Sequence, residues 1–357
     1  MARGRYINYM TIITKKAHTV KSAMDERDPY PLTFKPVLRD YVWGGRRFES
    51  LYGRDLPPGI VAESWEISGH LSAPTAAENG SWAGRTLPEI LACWGGRLVG
   101  SKASWALERK RFPLLVKLLD AQQDLSVQVH PDDTYALLHE QGELGKTEMW
   151  RVLHADPGAR LILGVRRQAT RQTLVDAFQA GRLDSVLSYI PVKAGDAVSI
   201  PAGTIHALLA GVVVTEIQQN SDATYRVHDW GRLGADGRPR PLHLEKALDV
   251  IDLGQVSPGI VTPRLLDASG GIRRFELVRN RHFVVEELHL ADGVAYDGFC
   301  DGSTLEIWAC IEGEALVEWT GAPVSLPAIR YILLPAALGE FAIRATTQSS
   351  CLRVYLP

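Results

Sequence analysis

Cysteine is scarce and unpaired in this chain: Cys93, Cys300, Cys310 and Cys351 lie far apart among 357 residues, with no C-x-x-C. That spacing argues against a disulfide framework or a thiolate zinc site and fits a reducing, cytoplasmic setting. Long apolar runs are missing too. None approaches the ~18 residues of a membrane-spanning helix, and the stretch from Ile7 to Ile13 is broken by Asn8, Tyr9 and Thr11. A soluble protein without a membrane partner is expected. Neither sign of charge dominates. Lys and Arg total 39 against 41 Asp and Glu, for a net charge of -2, which excludes the global field of a nucleic-acid binder and points to a small or medium-sized ligand. There is no G-x-G-x-x-G or P-loop for a nucleotide cofactor.

The length predicts two or three packed units. Residues 1 to 30 read as an N-terminal arm, because the first 28 carry six basic and three acidic side chains with little periodicity. From Pro31 onward, short β-branched or aromatic runs are split by Gly, Pro and Asp, the rhythm of a sandwich or barrel. Strands are predicted at Leu114 to Leu119, Leu125 to Val129, Met149 to His154, Leu161 to Val165 and Val212 to Gln218. Helices are the exception. One follows Asp132 and Asp133, a helical hairpin fits Arg171 to Leu187, and HLEKALDVI (243–251) reads as helical. The run LEIWACIEGEALVEW (305–319) looks like a β-hairpin turning at Glu312 and Gly313. The expected fold is therefore mainly β. Residues 31–168 and 191–232 form one barrel, 169–190 a helical insertion, 233–268 a linker and helix, and 269–357 a second barrel that lacks a comparable site.

Three segments carry metal-competent side chains: SVQVHPDD (126–133), GKTEMW (145–150) and GDAVSIPAGTIHAL (195–208). Strand alternation puts Gln128 and His130 on one face. Glu148 opens the next strand, and His206 follows a Pro-Ala-Gly turn. Two imidazoles, a carboxylate and an amide form a mixed N/O shell that suits one Zn²⁺ per chain, with Mn²⁺, Fe²⁺ and Co²⁺ also compatible. Arg226 follows the polar run QQNSDATY and reads either as a loop arginine or as a fixed guanidinium for an anion. Lys146 shares a face with Glu148, and is either a ligand-facing cation or a solvated strand end.

Gly195, Pro201, Gly203 and His206 match the second cupin signature, G-x5-P-x-G-x2-H, although Ala210 stands where Asn is usual. The first signature is altered as well, with Gln128-Val129-His130 in place of His-x-His. Together with YVWGG (41–45), ESWEIS (63–68), FPLLVKLLDA (112–121), KTEMW and TYRVHDWGR (224–232), these departures resemble the class I, cupin-type, zinc-dependent mannose-6-phosphate isomerases from about Pro31 to Pro357. The resemblance implies two cupin-type barrels or jelly rolls. It also implies zinc ligands at Gln128, His130, Glu148 and His206, an active-site arginine at Arg226, a proton-moving carboxylate at Glu216, which as a strand glutamate could equally orient an arginine or remain solvated, and substrate contacts at Lys146 and Ser126. The reaction it implies is the interconversion of D-mannose 6-phosphate and D-fructose 6-phosphate through a metal-stabilised cis-enediolate, by a monomer or homodimer whose partner is a sugar phosphate. The alternatives are a cupin oxygenase using Fe²⁺, which has no need of Arg226 and Lys146 for a phosphate, and a non-enzymatic sugar-binding cupin.

Overall fold

The computed structural model describes residues 28–234 and 237–357. Of the N-terminal arm expected over residues 1 to 30, residues 1–27 lie outside the described residues. Strands β1 (Val37–Arg39), β2 (Glu63–Ser68), β3 (Leu114–Ala121), β4 (Val127–Val129), β5 (Glu148–Ala155), β6 (Arg160–Val165), β7 (Leu187–Pro191), β8 (Ala197–Ile200), β9 (His206–Leu208), β10 (Val212–Gln219) and β11 (Tyr225–His228) build the first unit. They sort into a six-stranded sheet ordered β8-β5-β10-β3-β2-β1 and a five-stranded sheet ordered β11-β4-β9-β6-β7. The two sheets pack face to face through Leu119, Trp150, Val198, Val212 and Val214 from one and Leu161, Leu163 and Leu208 from the other.

The second unit repeats this plan. Strands β12 (Arg264–Ser269), β13 (Ile272–Arg279), β14 (Val284–Leu290), β15 (Ala295–Cys300), β16 (Glu306–Glu312), β17 (Glu314–Glu318), β18 (Val324–Pro327), β19 (Arg330–Leu334), β20 (Gly339–Ala345) and β21 (Ser349–Tyr355) form sheets ordered β12-β13-β14-β21-β16-β19 and β15-β20-β17-β18. The fold is thus mainly β with two cupin-like barrels. Among the described residues no helix is long and apolar enough to cross a membrane.

The central strands explain their own sequences. Every residue of β3 (LLVKLLDA) and β10 (VVVTEIQQ) is buried, because both faces of this sheet are covered, and a doubly covered strand reads as a near-continuous apolar run. Val212 and Val214 face the interior of the first barrel. Val213 and Ile217 point the other way, into a core shared with Leu305, Ile307, Leu333 and Val354 of the second barrel. Polar bonds pin the same seam. Arg151 Nε and Nη2 donate to Glu287 at 2.9 and 2.8 Å, and the Tyr331 hydroxyl donates to Thr215 Oγ1 at 2.9 Å.

Three local expectations need correction. The second helix of the hairpin at 171–187 is absent. Helix Arg171–Ala180 ends at Gly181, one 3-10 turn covers Leu183–Ser185, and Leu187 already begins β7, whose backbone pairs with β6. The run at 305–319 is no hairpin either. Strand β16 pairs with β19 and β21 whereas β17 pairs with β18 and β20, so the chain passes between sheets at Gly313. That residue has φ 80°, and a Cβ on it would stand 2.3 Å from the Gln348 carbonyl oxygen. Finally, helices Leu87–Trp94, Gly96–Val99 and Ser104–Glu108 occupy a region with no predicted helix. The first is signalled by Thr86-Leu87-Pro88-Glu89, in which Glu89 accepts from the Thr86 N–H at 2.8 Å. This segment seals the seam, burying Ile90, Trp94 and Leu98 and bonding Lys102 N to the Ser303 carbonyl at 2.9 Å.

Candidate metal centre

The two facing sheets each deliver part of one cluster. Strand β9 starts with His206, which lies opposite Gln128 of β4 in register, and His130 follows the end of β4. Glu148 starts β5 in the other sheet, opposite Gln218 of β10 and Ile200 of β8. The Pro-Ala-Gly turn ties these pieces together. Gly203 N donates to the His130 carbonyl at 2.8 Å, and Gly203 adopts φ 85° with the Val250 carbonyl oxygen 2.9 Å from where a Cβ would stand, so only glycine fits there without strain.

His130, Glu148 and His206 each offer a ligand atom, and all of these atoms lie within 4.8 Å of one another. The three residues are essentially sealed, at 1 %, 0 % and 0 % exposure. His130 Nδ1 donates to the Ala223 carbonyl at 2.9 Å and His206 Nδ1 to the Thr204 carbonyl at 2.8 Å. In a neutral ring each bond fixes the proton on Nδ1 and leaves Nε2 as the lone-pair nitrogen, the arrangement metal-bound histidines adopt. The Glu148 carboxylate stands between them, with Oε1 3.1 Å from His206 Nε2 and Oε2 3.5 Å from His130 Nε2. Neither Glu148 oxygen receives a hydrogen bond. Three lone-pair donors converge in this buried place, and Lys146 meets them only at the His130 and Glu148 Oε2 side; the His206 nitrogen and Glu148 Oε1 remain without a cation, which is costly, and the set fits a divalent ion.

The cation nearest them in the protein is Lys146, whose Nζ donates to His130 Nε2 at 3.1 Å and stands 3.0 Å from Glu148 Oε2, off the hydrogen-bonding direction. Gln128 Nε2 faces His206 Nε2 at 3.3 Å. Burial pushes the His130 imidazole well below its ordinary pKa, and the Lys146 charge adds to the effect. Burial alone would raise Glu148, but Lys146 and the two histidines outweigh it and hold the carboxyl well below its usual range. A neutral imidazole beside an ionised carboxylate is the protonation state that metal ligation requires.

A cavity of 270 Å³ opens beside this cluster, lined by Ser126, Gln128, Lys146, Glu216 and Arg226 among others. It brings together every expected site residue that is not one of the three sealed ligands. Arg226 lies opposite Gln128 in register. Its Nη1 donates to the Pro241 carbonyl at 3.1 Å and its Nε has no partner among the described residues; burial, then Arg240, lowers its pKa. Glu216 does not orient Arg226. It accepts from Trp150 Nε1 at 2.8 Å and pairs with Lys117 Nζ at 3.5 Å; burial raises its pKa, with the Glu148 charge adding.

Sequence reasoning missed part of this wall. Glu63, Lys117, Asp222, Thr224 and Arg240 also line the cavity. Lys117, inside the apolar run LLVKLLD, is buried, 3.8 Å from Glu63 and 4.5 Å above the Trp65 ring. Burial would lower its pKa, yet Glu63 and Glu216 overcome this and raise it. A lone lysine inside an apolar central strand was the available signal, since such a charge persists only when paired. Trp43 lines the cavity and stacks on Tyr41 at 5.9 Å, whereas Trp65 is packed inside.

Residues 32–158 match the family model for the type I phosphomannose isomerase catalytic domain. A probable mannose-6-phosphate isomerase of Bacillus subtilis is 36% identical over 326 residues, 89% of this chain and 98% of the relative. The mannose-6-phosphate isomerase of Streptococcus mutans is 40% identical over 264 residues, 74% of this chain and 80% of that protein. The crystal structure of a Bacillus subtilis mannose 6-phosphate isomerase superposes with a TM-score of 0.82 at 33% identity, covering 91% of this chain and 99% of that one.

Proposed function

This chain belongs to the type I phosphomannose isomerase family, and from that premise we propose that it interconverts D-mannose 6-phosphate and D-fructose 6-phosphate. The observation that carries the reading is the convergence of His130, Glu148 and His206 beside a cavity walled by Lys146, Glu216 and Arg226. His130, Glu148 and His206, with Gln128, would hold one zinc ion per chain, which when bound supplies Lewis-acid polarisation of sugar oxygens.

The protein's own residues supply the rest. Aldose–ketose isomerisation removes a proton at C2, returns it at C1 and passes through a cis-enediolate, so the site needs fixed positive charge and a proton carrier. Glu216 is the carrier: its carboxyl faces the cavity, is held by Trp150 and Lys117, and binds a proton more readily than an exposed glutamate. Arg226, with Nε unpartnered, meets the charge that develops on the sugar oxygens. Ser126 meets the phosphate. Lys146 was expected on the phosphate as well, but its contacts with His130 and Glu148 put its charge at the ligand end of the cavity, where it assists the reacting oxygens.

The test is a coupled assay for fructose 6-phosphate formed from mannose 6-phosphate, repeated after chelation and after zinc is returned. Zinc-restored turnover supports the reading, and turnover indifferent to exhaustive chelation overturns the metal assignment.

A further inference from the structure

The three sealed ligands sit on separate segments, and two side chains outside the cavity wall tie those segments together. Asp133 lies three residues after His130 at the start of helix Asp133–His139. Its Oδ1 accepts from Gly145 N at 2.9 Å and from Gln219 Nε2 at 2.8 Å. Gln219 Oε1 in turn accepts from Thr147 N at 2.9 Å, and Gln219 N donates to the Thr147 carbonyl at 3.1 Å. Thr147 precedes Glu148, and its Oγ1 accepts from Ala202 N at 3.3 Å, inside the turn that leads to His206. One unbroken chain of hydrogen bonds thus links the helix that starts three residues after His130, the residue before Glu148 and the turn four residues before His206. Gln219 and Thr147 are buried. The other Asp133 oxygen, Oδ2, faces the second barrel, with Arg281 Nη2 and His282 Nδ1 each 3.9 Å away across a cavity of 340 Å³ at the junction of the barrels.

We propose that Asp133 and Gln219 are positioning residues, a clamp that sets the spacing of His130, Glu148 and His206 and so the affinity of the metal centre. The inference rests on the metal reading above. The physical reason is that three donors on three segments bind an ion tightly only if their separation is already correct, and bonds that lock the supporting segments to one another set that separation. Asp133→Asn keeps an acceptor oxygen where Oδ1 stands and preserves the clamp. Asp133→Ala and Gln219→Ala remove it. Gln219→Glu keeps the acceptor for Thr147 N but sets a second carboxylate against Asp133.

The experiment is a Co²⁺ titration of the full chain followed by visible absorption, with affinity measured by chelator competition, alongside the thermal midpoint of each metal-free variant. The expected result is a loss of ~10- to 100-fold in affinity for Asp133→Ala, Gln219→Ala and Gln219→Glu, with a changed ligand-field spectrum, and near-parent behaviour for Asp133→Asn. Tyr331→Phe, which loosens the seam at Thr215, controls for stability alone: its midpoint falls while its affinity stays. If the alanine variants do not fold, Gln219→Glu against Asp133→Asn decides. Equal affinity across folded variants overturns the clamp, as does an affinity loss in Tyr331→Phe that matches the clamp variants. A parent chain that binds no Co²⁺ overturns the metal reading itself.

Discussion

Glu148 and Glu306 occupy comparable places in the two barrels. Each begins a strand that lies one in from the edge of a six-stranded sheet, and each is buried. Their surroundings differ in one respect. Glu306 Oε2 receives Trp308 Nε1 at 2.8 Å and Arg353 Nε at 2.9 Å, and its Oε1 receives Arg353 Nη2. Glu148 receives no hydrogen bond among the described residues; two imidazole nitrogens face it, with the Lys146 ammonium 3.0 Å from Oε2. The second barrel answers its buried charge with an arginine that bonds both oxygens, whereas the first sets one lysine at the edge of its carboxylate and two imidazole nitrogens around it. Similar architecture therefore serves closed structural polarity in one barrel and, in the other, a cluster that could hold an ion, and the difference lies in whether histidines or an arginine face the carboxylate.

Breaking the comparison at both glutamates should produce the largest effects, and in opposite readouts. Glu148→Ala should empty the metal centre and lower turnover by about 10³-fold, the equivalent of several kcal/mol of lost charge stabilisation. Glu306→Ala should leave metal content unchanged and destabilise the fold by about 3 kcal/mol, since it leaves the partly buried Arg353 with Glu286 Oε2, 3.4 Å from Nη1, as its remaining carboxylate partner. Elemental analysis and denaturant unfolding of both variants check this. Metal loss in Glu306→Ala would erase the distinction.

The seam between the barrels offers a pH test of nearly the same size. Burial alone would raise the Glu287 carboxyl, but His289, Arg151 and Ser350 bring it from its ordinary value of 4.5 to about 2. A folded-state pKa below the unfolded one stabilises the fold above the unfolded value and ceases to do so as pH falls through the folded value. The contribution, on the order of 3 kcal/mol, should therefore be full above about pH 4.5 and vanish toward pH 2. Glu287→Gln should show a flatter stability profile across that window. Identical slopes for parent and variant would remove Glu287 from the seam's energetics.

Arg226 comes next. Its loss should mainly lower kcat, by roughly a hundredfold, because a preorganised donor facing developing charge acts on the transition state. A lysine there should rescue only partly, since a point charge lacks the planar fork. Lys146→Ala, at the ligand end, should lower kcat as well. If Arg226→Ala changes KM alone, the arginine holds phosphate and Lys146 is left as the cation for the enediolate.

What could be read from the chain was what is local. His206 is announced by a Pro-Ala-Gly turn next to it, Gln128 and His130 by two-residue alternation, and the central strands by their apolar runs. Contacts that depend on the register of strands distant in sequence were not legible. Lys117 finds Glu63 and Glu216 only because β3 lies between β2 and β10, and nothing in LLVKLLD fixes that order. The passage at Gly313 fails for a similar reason. Two strands joined by a glycine look like a hairpin until the sandwich draws them into separate sheets.

The smallest predicted effect bears on Gln128, the expected ligand that is an amide rather than an imidazole or a carboxylate. It lines the cavity while the other three are sealed, and its Nε2 faces the His206 lone pair. An amide oxygen is a neutral ligand, weaker than an imidazole or a carboxylate, and at this position its nitrogen also competes for His206. Gln128→Ala should therefore lower metal affinity by about tenfold, the low end of what losing a supporting partner costs, and leave one ion per chain at saturating metal. Gln128→Glu adds a negative donor and should bind the ion more tightly than the parent does. Chelator competition ranks the three proteins. A loss in Gln128→Ala as deep as that in His130→Ala would make the amide a full ligand, and the first barrel would then hold its ion with four residues of equal weight rather than with three and a guide.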